Sequence, residues 1–331
     1  MEDRSEGLVV EVHGMLVTVL GAAGGRVRAR PPRSRETPVI GDRVVVEKLG
    51  SEYRVAEIAP RARVFSRLGV PAQTIAAHVD RLVIVTAVDP GPRPGLIDRM
   101  WIAMGDAVIA AGAVEVLLVL NKHDLPGFEA ARALLDDHVA LGAKVVMTST
   151  RTGEGIDALR ARLAAGGLSL VVGHSGVGKS SLVNALVPGA ALVTGDVNTV
   201  TAKGRHTTTV ATCHPIGEGG ALLVDTPGVR AFSLDALGFD AVAARFPGFA
   251  GPSQRCHFAH CLHEGEPACE VADLALHGAL PVERHDRYLA LLGALREERA
   301  EAAKSKPQGN AKAEGGRPRP SARGRWHEES E

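Results

Sequence analysis

Hydrophobic positions divide the chain into three stretches of different period. From residue 8 to residue 60, short apolar runs recur between Gly and Pro signals: Leu8 to Val12, Met15 to Leu20, Val27 to Arg30, Asp42 to Lys48 and Tyr53 to Ile58. Five closely spaced strands of this kind predict a small β-barrel of the OB type. From about Val79 to Leu234 the pattern becomes apolar strands separated by amphipathic helical stretches, with strands expected at Leu82 to Val85, Val114 to Leu120, Val145 to Met147, Leu168 to Val172 and Ala221 to Val224. That alternation predicts a mostly parallel sheet covered by helices on both faces, with ligands at the carboxyl ends of its strands. Beyond Asp235 a Cys/His cluster precedes a helical stretch ending YLALLGALREERAEA. The expected domains are 1–66 (barrel), 67–234 (α/β domain), 235–302 (a small, largely helical domain) and 303–331 (a tail).

The α/β stretch carries the chemistry. Gly173-His174-Ser175-Gly176-Val177-Gly178-Lys179-Ser180 fits G-x-x-x-x-G-K-[ST], follows the apolar strand LSLVV and precedes SLVNALV. In that setting backbone N–H groups curl around phosphates at a helix N-terminus, Lys179 reaches the β and γ oxygens, and the Ser180 hydroxyl ligates Mg²⁺. Asp225-Thr226-Pro227-Gly228 follows the next apolar strand, so that Asp225 can hold Mg²⁺ through water and Gly228 can sense the γ-phosphate. Between them lies GRHTTT, from which Thr208 is the expected switch ligand to Mg²⁺, with Thr207 and Thr209 as alternatives.

A phosphate loop leaves ATP and GTP unresolved, and Asn121-Lys122-His123-Asp124, at the end of VEVLLVL, points to GTP. A carboxylate accepts hydrogen bonds from guanine N1–H and the exocyclic amine, neither of which adenine offers in that geometry. Ser149-Thr150-Arg151, after a further strand, stands where a contact to guanine O6 is expected. GTPases ordinarily place the phosphate loop first and N-K-x-D fourth. Here N-K-x-D and the Ser149 loop come first, which is a circular permutation. In Ras-like enzymes a glutamine after D-x-x-G orients the attacking water. That position is Val229 here, so unaided turnover is expected to be slow and His206 is the candidate for positioning water.

Cys256, Cys261, His263 and Cys269 read C-x4-C-x-H-x5-C and hold three of the four cysteines. Three thiolates and an imidazole make a closed tetrahedral set for structural Zn²⁺. His257 and His260 are alternative nitrogen donors ranked below His263, and Cys213 is expected to be an ordinary buried thiol.

Charge adds a partner class. The formal net charge is zero, yet five arginines and no acid lie between Arg26 and Arg35, and seven lysines and arginines face one glutamate between Ala303 and His327. The Gly/Pro/Ser-rich tail is expected to be disordered, and two basic segments at opposite ends of one chain point to nucleic acid. With the acidic start MEDRSEG and no apolar run near the ~18 residues of a membrane span, a cytoplasmic protein without membrane association is expected.

Taken in order, the barrel, HVDRLVIVTAVDP with LIDR, NKHD, GHSGVGKSS, GRHTTT, DTPGVR and the cysteine cluster resemble the ribosome small-subunit-dependent GTPases of the RsgA family, also called YjeQ or EngC. The resemblance covers nearly the whole chain. It implies an OB-type barrel, a circularly permuted P-loop GTPase domain and a small zinc-binding domain that is largely helical. It further implies GTP hydrolysis stimulated by the 30S subunit late in its assembly, docking on 16S rRNA, GTP and GDP held by Asn121, Lys122, Asp124 and Gly173 through Ser181, and a monomer as the working form. A GTP-dependent RNA-binding switch with negligible turnover and a permuted GTPase of large-subunit assembly are the competing readings.

Overall fold

The structure is a computed structural model and describes residues 4–34, 36–69, 71–105, 113–188, 190, 212–225 and 233–305. Strands β1 (Arg4–His13), β2 (Leu16–Gly21), β3 (Arg26–Arg30), β4 (Arg43–Leu49) and β5 (Glu52–Ile58) form the N-terminal unit. They pair in the order β1-β2-β3-β5-β4, and β4 returns to β1 to close a five-stranded barrel. Every pairing is antiparallel except β3 with β5. Closure removes the free sheet edges. Val9, Val17, Val19, Ala29, Val44, Val46 and Val55 fill the interior, a core of β-branched residues suited to a pleated surface. Consecutive valines serve different cores because successive strand side chains point to opposite faces: Val9 enters the barrel while Val10, at a bulge between Val9 and Glu11, joins the larger core outside it.

A short hairpin, β6 (Phe65–Arg67) with β7 (Gln73–Ala76), leads into the α/β unit. Its strands β8 (Arg81–Ala87), β9 (Glu115–Asn121), β10 (Lys144–Met147), β11 (Leu168–Val172), β12 (Thr212–Ile216) and β13 (Ala221–Asp225) lie in the order β10-β9-β8-β11-β13-β12. All neighbours are parallel except β12, which runs against β13. The central strands are nearly continuous apolar runs, with Thr86 and Ser169 the polar residues inside them, because both faces are covered. Leu82, Ile84, Leu118, Leu120 and Leu170 face one core, while Val83, Val85, Leu117, Val119 and Val171 face the other. A single register pair, Glu11 with Thr212, joins β1 to β12, so barrel and α/β sheet are one continuous eleven-stranded sheet.

The regular elements among the described residues from 233 onward are helices, joined by turns. After α1 (Pro94–Ile102), α2 (Phe128–Ala133), α3 (Asp136–Ala140), α4 (Ile156–Ala164) and α5 (Lys179–Leu186) of the α/β unit come α6 (Phe239–Arg245), α7 (Ala250–Ser253), α8 (Glu270–Leu276) and α9 (Val282–Ser305). Phe246, Phe249 and Tyr288 cluster at their centre, and the Tyr288 hydroxyl donates to the Leu262 carbonyl at 2.7 Å. Helix α9 continues to Ser305, and the rest of the expected tail lies outside the described residues. No helix among the described residues is long and apolar enough to cross a membrane.

Candidate nucleotide site and metal centre

The parallel strands deliver their carboxyl ends to one edge of the sheet. Strand β11 feeds the phosphate loop, β9 ends in Asn121, β10 leads to Ser149, and β13 ends in Asp225. Register fixes how these ends meet: Asp225 is opposite Val171, two residues before Gly173, and Ala87 is opposite Asn121.

Two glycines shape the loop by what they lack. Gly173 has φ +151°, and a Cβ there would lie 2.4 Å from the Val85 carbonyl oxygen; Gly178 has φ +90°, and its Cβ would lie 2.5 Å from Asn121 Nδ2. Only a residue without a side chain permits both the conformation and the approach. Val177 is fully buried and anchors the loop, leaving Ser175 and Gly176 exposed, while Gly178 caps α5, whose first turn carries Lys179, Ser180 and Ser181. His174 Nδ1 donates to the Ser175 carbonyl at 2.7 Å, and burial lowers the His174 pKa, which keeps the ring neutral. Lys179 Nζ donates to the His174 carbonyl at 2.7 Å, inside the loop it closes.

The N-K-x-D segment is built onto this loop. Asn121 is fully buried, its Nδ2 donates to the Val177 carbonyl at 2.9 Å, and its Oδ1 accepts from Thr148 Oγ1 at 3.2 Å. Lys122, at φ +58°, donates from Nζ to the Gly176 carbonyl at 2.8 Å and to the Asp89 carbonyl at 2.6 Å. It therefore bridges the phosphate loop to the turn after β8. His123 lies 3.1 Å from Glu154 and edge-on to Phe128. Asp124 Oδ1 accepts from the buried Ser149 hydroxyl, and Oδ2 accepts from Arg151 Nε at 2.8 Å. Those bonds, that of Ser149 foremost, hold the Asp124 carboxyl below its usual pKa, so it is an ionised acceptor at neutral pH.

Residues 25 to 56 positions apart in the chain thus meet in one site. Asp225 is buried at the end of its strand. Its place beside the phosphate-loop strand and the chemistry of a carboxylate with the Ser180 hydroxyl suit Mg²⁺ held with a nucleotide. His206, Thr208 and residues 226–229 lie outside the described residues. The sequence did not single out Asp89, nor assign Arg151 to Asp124. Both lie in quoted segments, but only the meeting of the β8, β9 and β10 ends gives them these contacts.

The second centre is the cysteine cluster. One ligand atom from each of Cys256, Cys261, His263 and Cys269 lies within 4.8 Å of the other three. His263 Nδ1 is 3.6 Å from Cys256 Sγ and 3.4 Å from Cys269 Sγ, close to the roughly 3.6 Å edge that tetrahedral zinc bonds of about 2.3 Å to sulfur and 2.0 Å to nitrogen require. His263 Nε2 bonds Ser253 Oγ at 3.0 Å, which turns Nδ1 toward the thiols. Such an outer hydrogen bond is how imidazole ligands are oriented. Burial raises the Cys261 thiol to about 12 and pushes Cys269 upward, so three thiolates gathered there need a cation. His257 and His260 are exposed and outside the group, whereas Cys213 is a separate buried thiol.

A parallel α/β sheet with a phosphate loop, N-K-x-D ahead of it in the chain, a closed five-stranded barrel before it and a helical Cys/His module after it define a circularly permuted P-loop GTPase. Residues 58–235 match the family model described as RsgA GTPase. The chain is 35% identical over 293 residues to the small ribosomal subunit biogenesis GTPase RsgA of Bordetella pertussis, covering 88% of this chain and 96% of that protein. It is 38% identical over 298 residues to the same-named protein of Pseudomonas aeruginosa strain LESB58, covering 88% and 86%. The crystal structure of YjeQ from Thermotoga maritima aligns with a TM-score of 0.68 and 27% identity, over 88% of this chain and 98% of that one. YloQ, a circularly permuted GTPase, aligns at a TM-score of 0.66 and 22% identity over 89% and 96%, a likeness of fold. The chain belongs to the RsgA GTPase family.

Proposed function

We propose that this GTPase acts in late maturation of the small ribosomal subunit, binding the 30S particle and its 16S rRNA as a cytoplasmic monomer and hydrolysing GTP when the subunit stimulates it. The observation that carries the reading is the junction of Asn121 and Lys122 with the phosphate loop through Val177 and Gly176. It makes one nucleotide site from motifs in permuted order, within a chain whose relatives are named for small-subunit biogenesis.

In this reading Asn121, Lys122, His123, Asp124 and Ser149 shape the guanine site, and Gly173 through Ser181 hold the phosphates. Lys179 exchanges the His174 carbonyl for phosphate oxygens on binding. Ser180, Thr208 and Asp225 would hold Mg²⁺, whose charge would offset that developing on the β- and γ-phosphates. His206 orients the water that attacks the γ-phosphorus as the bond to the β–γ bridging oxygen breaks. Cys256, Cys261, His263 and Cys269 hold a structural Zn²⁺. The proposed division is a barrel over 1–66, a GTPase domain over 67–234, a zinc domain over 235–302 and a basic tail. An open groove on the barrel lined by Arg28, Arg30, Arg33, Tyr53 and Arg54 supports RNA contact, because clustered arginines gain affinity by releasing counterions from phosphates.

The test is steady-state GTP hydrolysis by the purified chain alone, with 30S and with 50S subunits, with ATP as control. Stimulation by 30S only, lost in His206→Ala while GTP binding persists, is the expected result. Equal rates with and without either subunit would refute the small-subunit reading.

A further inference from the structure

Two loops meet at Asp124: N-K-x-D at the end of β9 and the Ser149 loop at the end of β10. Asp124 Oδ1 accepts from the Ser149 hydroxyl, and Oδ2 accepts from Arg151 Nε at 2.8 Å. Each carboxylate oxygen offers two lone pairs, so both keep one for a donor on the base. The Ser149 hydroxyl therefore aims the carboxylate without filling it, and the position of the Ser149 loop decides that aim.

The Ser149 loop is closed on itself. The Ser149 N–H donates to the Glu154 carbonyl at 3.0 Å, and the Gly153 N–H donates to the Ser149 carbonyl at 2.9 Å. The Thr152 N–H donates to Ser149 Oγ at 3.1 Å and the Glu154 N–H to Thr152 Oγ1 at 3.4 Å. Gly155 ends the loop at φ +73°, where a Cβ would lie 2.0 Å from the Met147 carbonyl oxygen. A loop bonded in this way shifts as a unit, so what ties it to N-K-x-D matters. At its near end the His123 N–H donates to the Thr148 carbonyl at 3.2 Å. At its far end Glu154 Oε2 lies 3.1 Å from His123 Nε2.

That second tie differs from an ordinary surface pair. The Glu154 side chain is 69% exposed, but His123 is only 18% exposed and lies edge-on to Phe128, with ring centres 6.0 Å apart. The imidazole is already held by packing, which spares part of the side-chain entropy that weakens exposed pairs. A carboxylate beside Nε2 also favours the tautomer with its proton there.

We propose that Glu154 and His123 are positioning residues for the guanine acceptor: their contact holds the Ser149 loop where its hydroxyl sets the Asp124 carboxylate. The contacts form a ring, running from Asp124 to the Ser149 hydroxyl, from the Ser149 N–H to Glu154, from the Glu154 carboxylate to His123, and along the chain back to Asp124. Glu154 acts through this ring and not by touching the base. The proposal rests on the assignment of Asp124 as the guanine acceptor.

Inosine diphosphate presents the same N1–H as GDP but lacks the exocyclic amine, so the ratio of the two affinities reads how well Asp124 is set for its second donor. Loss of folded protein or damage to the phosphate loop scales both affinities alike and leaves the ratio unchanged. The experiment is equilibrium titration of the full-length chain with GDP, inosine diphosphate and ADP, for wild type, Glu154→Ala, His123→Leu and the double variant. Each single variant should lower the preference for GDP over inosine diphosphate about two- to fivefold, the range of surface pairs. The double variant should fall no further than the worse single one, because both changes remove the same contact. An unchanged ratio in either single variant, or losses that multiply in the double, overturns the positioning role. If wild type binds inosine diphosphate or ADP as tightly as GDP, the acceptor assignment itself fails. If wild type prefers GDP and the variants keep its ratio, only the positioning role fails.

Discussion

Gly178 concentrates the residue-scale logic of the nucleotide site. It caps α5 at φ +90° and lets Asn121 reach the Val177 carbonyl, so one glycine serves the phosphate loop and the base site together. The pattern G-x-x-x-x-G-K-S is the sequence signal for phosphate binding, because tight backbone turns toward phosphates have few sequence solutions. The clash that a methyl group would cause with Asn121 was not legible, since it depends on β9 lying beside the loop. Gly178→Ala places Cβ 2.5 Å from Asn121 Nδ2 in a backbone region L-residues avoid. Strain of this kind is of order 1–3 kcal/mol, so GTP and GDP affinity should fall roughly tenfold or more. Isothermal titration checks it, and affinity within twofold of wild type would show that the loop relaxes around the methyl.

At the scale of elements, helix α9 is held by buried charge. Arg287 bonds Asp98 of α1 at 3.0 Å and Asp137 of α3 at 2.6 Å; Arg284 bonds Asp137 as well, and His138 Nε2 donates to Asp98 at 2.8 Å. Asp98 is 1% exposed, so removing Arg287 leaves its buried carboxylate to His138 alone. Breaking a buried pair from one side costs about 3–5 kcal/mol, and Arg287→Ala should lower the unfolding free energy by roughly 3 kcal/mol in denaturant melts. Burial alone would raise the Asp137 carboxyl, but hydrogen bonds from Arg284 and Arg287 outweigh it and hold the pKa below its ordinary value. The depressed folded value means this contribution is complete above the unfolded carboxylate pKa of about 4 and is lost as pH falls through the lower folded value. Thermal melts from pH 7 to 3 should show a steeper acid loss in wild type than in Arg287→Ala. The helical pattern of α9 was readable from its sequence, but these partners were not, being 147 to 189 residues away.

For the whole molecule, permutation places the guanine motif before the phosphate loop and lets the chain leave β13 toward the helical module. That module is also fastened directly to the α/β unit: Arg99 Nη2 of α1 donates to Glu298 Oε1 of α9 at 2.8 Å. Its own interior is built around the Cys/His group, where the binding free energy of a zinc ion would double as folding free energy. The purified chain should contain one zinc per molecule. Chelation or Cys261→Ser should lower the melting temperature and loosen the module while leaving GTP affinity within about twofold, because the nucleotide site has its own core. Metal analysis and calorimetry test this; an unchanged melting temperature after complete metal removal would contradict it.

Local pattern alone determined the strand periods of the barrel, the apolar strands of the parallel sheet, the phosphate loop, N-K-x-D and the cysteine spacing, since each is set by residues near one another in the chain. Leu168–Val172 is the same strand in sequence and structure, for a continuous apolar run bounded by glycines has one natural fit. The antiparallel strand Thr212–Ile216, with Cys, His and Pro among its five residues, was not expected from its sequence. Its pairing with β13 supplies what its composition lacks. Only the tertiary structure decided that β1 joins the two sheets, that Lys122 ties the base site to the phosphate loop, and that Arg151 lies on Asp124. These are contacts between segments far apart in the chain, fixed by strand order and register and not by any local preference.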